Sequence, residues 1–384
     1  MPAISCLGRV FYGYSNNLQT HMRRFLINSL LVVTLLASII YTACAKKELF
    51  SFASPEYRLS FPNDHKAHND FRTEWWYYTG HLQSGERRFG YELTFFRTAL
   101  SIEESDATRK QIYFAHFAIT DESNKKFYYN EKQSRGNFGD AGASEQHYKT
   151  FIGNWSAQDL GRYQLIQSET DSFALALILE PVKPPVLQGE NGYSRKGSDP
   201  KNASLYYSYT RLKSTGALTL NGTRYAVEGE SWKDHEFGTS QLDENVAGWD
   251  WFSIQLSDTT ELMLYNLRLT DGANSPYSSG TVVHKDGTSE KLSASDFKIE
   301  SLSRYTSKKS GAEYPTKWTL SVPKYALLLS VEATVEDQEL LTEESTRITY
   351  WEGSTRVSGT KSGSSISGNG YTELTGYAKK ITAF

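Results

Sequence analysis

The chain has 384 residues, enough for two domains at roughly 100–200 residues each, and its 41 basic against 44 acidic residues give a formal net charge of -3. No basic run is longer than Lys46-Lys47 or Lys379-Lys380, so the electrostatic footprint of a nucleic-acid partner is missing and none is expected. Aromatic residues make up 14% of the chain, which favours strands and pockets that hold apolar or ring-containing ligands.

Both cysteines, Cys6 and Cys44, lie near the N-terminus. Residues 1–43 read as leader and signal peptide: Arg23-Arg24 supply the charged segment, residues 25–40 the apolar run, and Tyr41-Thr42-Ala43 lead into Cys44. The run is short of the about 20 apolar residues that a spanning helix needs. A cysteine directly after Thr-Ala resembles the lipobox of bacterial lipoproteins, although Tyr41 departs from the usual aliphatic residue. That resemblance implies lipidation of Cys44 and an exported protein anchored by its lipid in the cell envelope. Ala45 lacks the acidic character that retains many such proteins at the inner membrane, which points to the outer membrane facing the periplasm. Cleavage there removes Arg9, Arg23 and Arg24 and no acid, leaving a mildly acidic chain whose only thiol is Cys44. Disulfides, cysteine zinc sites and a cysteine nucleophile are thereby excluded.

Residues 44–54 form a tether, with polar sequence continuing to Phe61-Pro62. His65 and His68 follow; they read as loop histidines, because no third ligand is near them in sequence and no metal site is expected. EWWYYTGHL, starting at Glu74, begins a strand that turns at Ser84-Gly85 and returns through FGYELTFFR, a hairpin. QIYFAHFAIT (111–120) is apolar on both faces and should be a central strand, with His116 on one side. Residues 130–160 read as loop with short strands, and FALALIL (173–179) as a strand stopped by prolines. Residues 189–204 make a long polar loop of the kind that often covers a site. Short strands are expected at 206–212, 216–220 and 223–229, the last two joined by a turn at Asn221-Gly222. A hairpin through Asp286-Gly287, the strand KWTLSV, a weakly alternating 326–335, YWEG (350–353) and GYTELTGYAKK (370–380) complete the chain. Strand period dominates and helical period is rare, so the class is all-β, of barrel or sandwich type. No hydrolase elbow, zincin, phosphate-loop or dinucleotide motif occurs, and nothing implies a cofactor.

The stretch from Gly229 to Arg268 concentrates the chemistry. Asp234, His235 and Glu236 sit between Trp232 and Phe237, and Trp249, Asp250 and Trp251 follow. Apolar surroundings are costly to ionisable groups and move their pKa values toward the range useful for proton transfer. Asp234 and His235 are neighbours, so an extended strand would send them to opposite faces; a bulge beside Gly238 would be needed to bring both into one pocket. Glu74, near enough to pair with His235, and Tyr265 complete the candidate catalytic set. Trp76, His116, Phe237, Trp249, Trp251 and Arg268 are the candidate substrate contacts. The alternative is that Asp234 and His235 tie two barrels together through a buried network.

EWWYYTGHL, DHEFG with GWDWFSIQL, YWEG and ELTGY, in that order, resemble the secreted lipocalin-like family that includes carotenoid 1,2-hydratase and the AttH-type proteins. Membership implies two tandem lipocalin-like β-barrel domains, 55–240 and 241–384, and relatives that act on lipophilic polyenes. It also implies functional roles for a histidine matching His235, an aromatic matching Phe237 and a tyrosine matching Tyr265, with Leu267 standing where the hydratases have an aspartate. The expected function is hydratase-, isomerase- or hydrolase-like acid-base chemistry on a small lipophilic substrate. A non-catalytic carrier of such a ligand is the alternative. Oligomeric state is not readable from the chain.

Overall fold

Strand alternation between Thr73 and Leu374 is realised as two curled antiparallel sheets, thirteen and ten strands among the described residues. The computed structural model describes residues 50–101, 110–240 and 242–381. The leader, Cys44 and the first part of the tether lie outside them. The only helical elements described are two short 3₁₀ turns, Asn63–His65 and Pro323–Tyr325, so the all-β class holds. No described helix is long and apolar enough to cross a membrane.

The first sheet runs from Lys126–Ser134 through Lys110–Asp121, Arg87–Ser101 and Thr73–Ser84 to Thr223–Gly238, Ala203–Leu220 and Phe173–Pro181, and on to Ala141–Ala143. Lys149–Ile152, near one end of this path, packs on Lys110–Asp121 and Lys126–Ser134 at the other, so the sheet is nearly closed. The second sheet uses residues 261–306, Val246–Leu256 and the C-terminal strands, with Val246–Leu256 beside Ser364–Leu374. The last strand of the first sheet ends at Gly238, and the first of the second sheet begins at Val246.

Three main apolar layers, and a smaller cluster of Ala53, Phe71, Ala203, Leu205 and Phe237, form among the described residues. Trp76, Tyr78, Leu93, Phe117 and Leu177 fill the first curl; Phe252, Leu264, Trp318, Leu329 and Trp351 fill the second. Tyr77, Tyr206, Trp232, Trp251, Met263 and Tyr265 form a seam between them. This seam is why strands such as Lys110–Asp121 are apolar on both faces: Ala115, Phe117 and Ile119 enter the first core while His116 and Thr120 bond to the other sheet. Burial of each large seam side chain contributes about 1.5–3 kcal/mol before conformational entropy is subtracted.

Several local expectations change. Residues 206–212 and 216–220 belong to one strand, Ala203–Leu220, with a bulge between Tyr209 and Leu212. Residues 130–160 hold four strands or parts of strands, as short as expected, with glycines in two of the three connections between them. The 189–204 segment is no free lid, since Tyr193–Arg195 pairs with Ala203–Leu220 and the Lys196 N–H donates to Asn202 O. His65 lies in the 3₁₀ turn Asn63–His65 and is buried, while His68 is in the loop as expected and is partly buried.

Candidate active site

A cleft of about 360 Å³ opens in the seam between the sheets. The first sheet contributes Trp75, Tyr77, His116, Tyr206, Asp234 and Glu236; the second contributes Trp249, Trp251, Tyr265, Tyr350, Glu352 and Glu373. Each arrives by strand alternation, which sends every second residue of a seam strand into the same space. The walls are mainly aromatic, and carboxyl groups are the main polar feature.

Glu352 and Glu373 stand directly opposite one another on adjacent strands. Side chains so paired lie about 4.5–5.5 Å apart at Cβ, and like charges there repel. Glu352 is fully buried and Glu373 partly so. Burial first, then the Glu373 and Glu92 carboxyls, push Glu352 well above the usual carboxylate range. Burial pushes Glu373 up to about 7 against the opposing pull of the Trp249 indole N–H, which donates to it at 2.9 Å. Tyr77 Oη donates to Glu352 Oε1 at 2.7 Å, while Glu352 Oε2 has no hydrogen-bond partner among the described residues. At neutral pH the pair therefore holds at least one proton, on a carboxyl with a free oxygen.

Asp234 is the third acid. Burial pushes it up to about 7, although it accepts from Ser208 (2.5 Å), Tyr206 (2.6 Å) and the Trp232 indole N–H (2.7 Å). Three bonds leave it committed to orienting Tyr206, whose hydroxyl also accepts from Trp251 Nε1 at 3.2 Å. Glu236 pairs with Lys196 and Ser204. His116 is kept neutral by burial, its pKa lowered to about 3; its Nδ1 lies 2.7 Å from Tyr350 Oη and its Nε2 2.9 Å from Ser345 Oγ. That fixes the Tyr350 hydroxyl at the cleft wall.

The sequence-derived site divides in two. Asp234, Tyr265, His116, Trp249 and Trp251 line the cleft. His235, Glu74, Trp76 and Phe237 do not; they face the interior of the first sheet. No bulge intervenes near Gly238, because the register from Thr73↔Gly238 to Gln83↔Glu228 is unbroken, so Asp234 and His235 remain on opposite faces. Arg268 also points away, donating to Asp250 at 2.9 Å and packing over the Tyr377 ring. Tyr265, its pKa pushed up to about 12 by burial, remains a protonated hydroxyl at neutral pH, 3.3 Å from Ser194 Oγ.

On the inner face, Glu74 is the hub. Its Oε1 lies 2.8 Å from both His235 Nε2 and His68 Nδ1, and its Oε2 accepts from Arg97 Nε at 3.1 Å and the His68 backbone N–H at 2.9 Å. Burial opposes ionisation of Glu74, but His68, His235 and Arg97 together hold it well below the usual range. Burial lowers His235 to about 4 in spite of Glu74. His235 Nδ1 meets Tyr207 Oη at 3.0 Å, and Tyr207 meets His65 Nδ1 at 2.7 Å. Phe237 stacks on His68 with ring centroids 3.6 Å apart, and Trp76 stacks on His235.

The residues not anticipated are Glu352, Glu373, Tyr350, Tyr206, Tyr77 and the Lys196–Glu236 pair. A signal existed for the first two. Glu352 lies inside YWEG and Glu373 inside YTEL, each an acid in a strand whose neighbours are aromatic or aliphatic, a costly placement that calls for a reason.

The AttH-like family model matches residues 52–377. The chain belongs to the AttH-like family. Among solved structures, an AttH assignment from Nitrosomonas europaea is 32% identical, with a TM-score of 0.77 over 85% of this chain and 100% of that one. Kievitone hydratase from Nectria haematococca shares the fold at 14% identity, with a TM-score of 0.65 over 86% of this chain and 96% of that one. CghA shares it more distantly, at 11% identity and a TM-score of 0.52 over 88% and 98%. No functionally curated protein matches the chain in sequence. AttH-like membership agrees with the motifs EWWYYTGHL, DHEFG and YWEG, and the two nearly closed sheets agree with tandem barrels.

Proposed function

We propose that this AttH-like protein adds water across a carbon–carbon double bond of a small lipophilic substrate held in the seam cleft. The observation that carries the reading is the cross-strand pair Glu352, fully buried, and Glu373, partly buried, directly opposite each other with raised pKa values. Two acids whose environments differ can divide the roles of general acid and general base. Glu352, the more strongly raised and with a free Oε2, gives its proton to one alkene carbon. Water adds its oxygen to the other carbon and yields a proton to Glu373. Transfer from Glu373 back to Glu352 restores the starting state, so the net change is alkene plus water to alcohol. The Trp75, Tyr77, Trp249 and Trp251 rings supply apolar walls and π-faces toward which developing positive charge is drawn. Tyr350 and Tyr206 are preoriented hydroxyls for a polar end of the substrate. The fold shared with a protein named as a hydratase supports this reading.

The test is turnover of conjugated and phenolic alkenes, followed as mass gain of one water and as oxygen incorporated from isotopically heavy water. Glu352→Gln and Glu373→Gln are expected to lose about 10²–10⁴-fold in kcat, the range for general acid-base groups. The wild-type rate should rise with pH as Glu373 ionises near 7, and fall again when Glu352 loses its proton. Recovery of an unaltered lipophilic ligand, with no turnover of any alkene, overturns the enzyme reading in favour of a carrier. Lipid anchoring in the envelope is part of the proposal, supported by Arg23-Arg24, the apolar run and Thr42-Ala43-Cys44. Cys44→Ala should move the protein from the membrane to the soluble fraction; unchanged fractionation and intact mass would count against it.

A further inference from the structure

We propose that His68, Glu74 and His235 form a binding site for a divalent transition metal of the zinc class, on the inner face of the first sheet and separate from the cleft. His68 Nδ1, Glu74 Oε1 and His235 Nε2 all lie within 4.8 Å of one another. Two imidazole nitrogens and one carboxylate oxygen are a donor set that zinc and related ions accept, with three protein ligands leaving a further position. The sequence withheld this site because His235 lies 161 residues beyond Glu74, although His68 and Glu74 are only six apart. The extended pairing of Thr73–Ser84 with Thr223–Gly238 brings Glu74 beside His235, and the turn after Asn63–His65 folds His68 over both.

The surroundings match what metal ligands require. A ligating histidine normally has its other ring nitrogen tied to a carboxylate, carbonyl or hydroxyl, which sets its tautomer and orientation. His68 Nε2 is tied to Asp64 Oδ1 at 3.0 Å, and His235 Nδ1 to Tyr207 Oη at 3.0 Å. Arg97 and the His68 N–H hold only Glu74 Oε2, so the carboxylate is oriented through one oxygen while Oε1 faces both imidazoles. Phe237 and Trp76 stack on the two rings and lock their planes. An ion here joins the 64–71 segment to two central strands. In its absence the same atoms bond to one another, which is the alternative the experiment must separate.

Full-length protein, stripped with chelator, is titrated with Zn²⁺ and then Co²⁺, reading bound metal by elemental analysis, melting temperature, and the visible absorption of Co²⁺. One equivalent should bind, raise the melting temperature and give cobalt bands of a nitrogen–oxygen site. His68→Gln, at the edge of the cluster where the fold is least at risk, should weaken binding by more than the about 10–100-fold typical of losing an outer partner, and Asp64→Asn by about that amount. His235→Gln should abolish the cobalt bands. Failure of the wild type to take up metal, or uptake undiminished in His68→Gln, overturns the proposal; the second result assigns the metal to exposed histidines such as His147.

Discussion

Glu373 has a consequence for stability as well as for chemistry. Its folded pKa of about 7 lies above the ordinary glutamate value, so between about 4.5 and 7 the folded state holds a proton that the unfolded state has released. Stability contributed by this group is therefore present at lower pH and is lost as pH rises through 7. Glu373→Gln should raise the melting temperature at pH 8 but little at pH 5, by an amount on the order of 2–3 kcal/mol if the shift is realised in full. Denaturation curves of both proteins at the two pH values check this, and an equal effect at both would show that the glutamate is not raised. His116 works in the other direction. Kept neutral by burial with a pKa of about 3, it withholds a proton that the unfolded chain binds below about 6.5, so its contribution falls as pH drops from 6.5 toward 3.

The bulge in Ala203–Leu220 does for an element what those side chains do for a site. Tyr209↔Lys233 is followed by Leu212↔Ser231, three steps on one strand against two on the other, so Thr210 and Arg211 both turn toward the second sheet. Arg211 donates to Glu261 Oε1 at 2.7 Å, and Lys183 to Oε2 at 2.6 Å, with Glu261 0% exposed. One carboxylate thus holds two cations from the first sheet. Glu261→Gln leaves Lys183 buried without a carboxylate partner and Arg211 with only Glu230, and should cost about 3–5 kcal/mol, read as a lower denaturant midpoint with an unchanged slope. Replacing all three with apolar residues of similar volume should recover much of that loss, because buried ion pairs contribute little net stability. Gly229 marks a second constraint on the same sheet. A Cβ there would meet His81 O at 1.9 Å, so Gly229→Ala should destabilise by forcing Thr73–Ser84 away from its partner.

For the molecule as a whole, the two curled sheets share a seam of large aromatics and buried charge. Besides Glu261, Tyr77 bonds to Glu352, His81 Nε2 lies 2.9 Å from Gly370 O, and Arg356 pairs with Glu122. We expect neither residues 50–240 nor residues 245–384 to fold stably when expressed alone, since each would expose the seam; co-expression of the two should recover a soluble complex. A cooperatively melting, monomeric half would refute this. The strand content, the all-β class and the relationship to AttH-like proteins could all be read from the chain. Alternation and ordered local motifs are properties of neighbouring residues, which sequence records. Sequence also singled out Asp234, His116 and Trp251 as pocket residues, because ionisable or aromatic groups stand out against an apolar strand. Which face each residue took was decided by tertiary structure: an unbroken register sent His235 and Phe237 inward with Glu74, away from Asp234. The pairing of the two acids was hidden for the same reason, although each stands out singly as an acid in an apolar strand. Glu352 and Glu373 are twenty-one positions apart in the chain and become neighbours only through strand pairing, and their pKa values are raised by the first sheet closing over them, a desolvation set by tertiary packing.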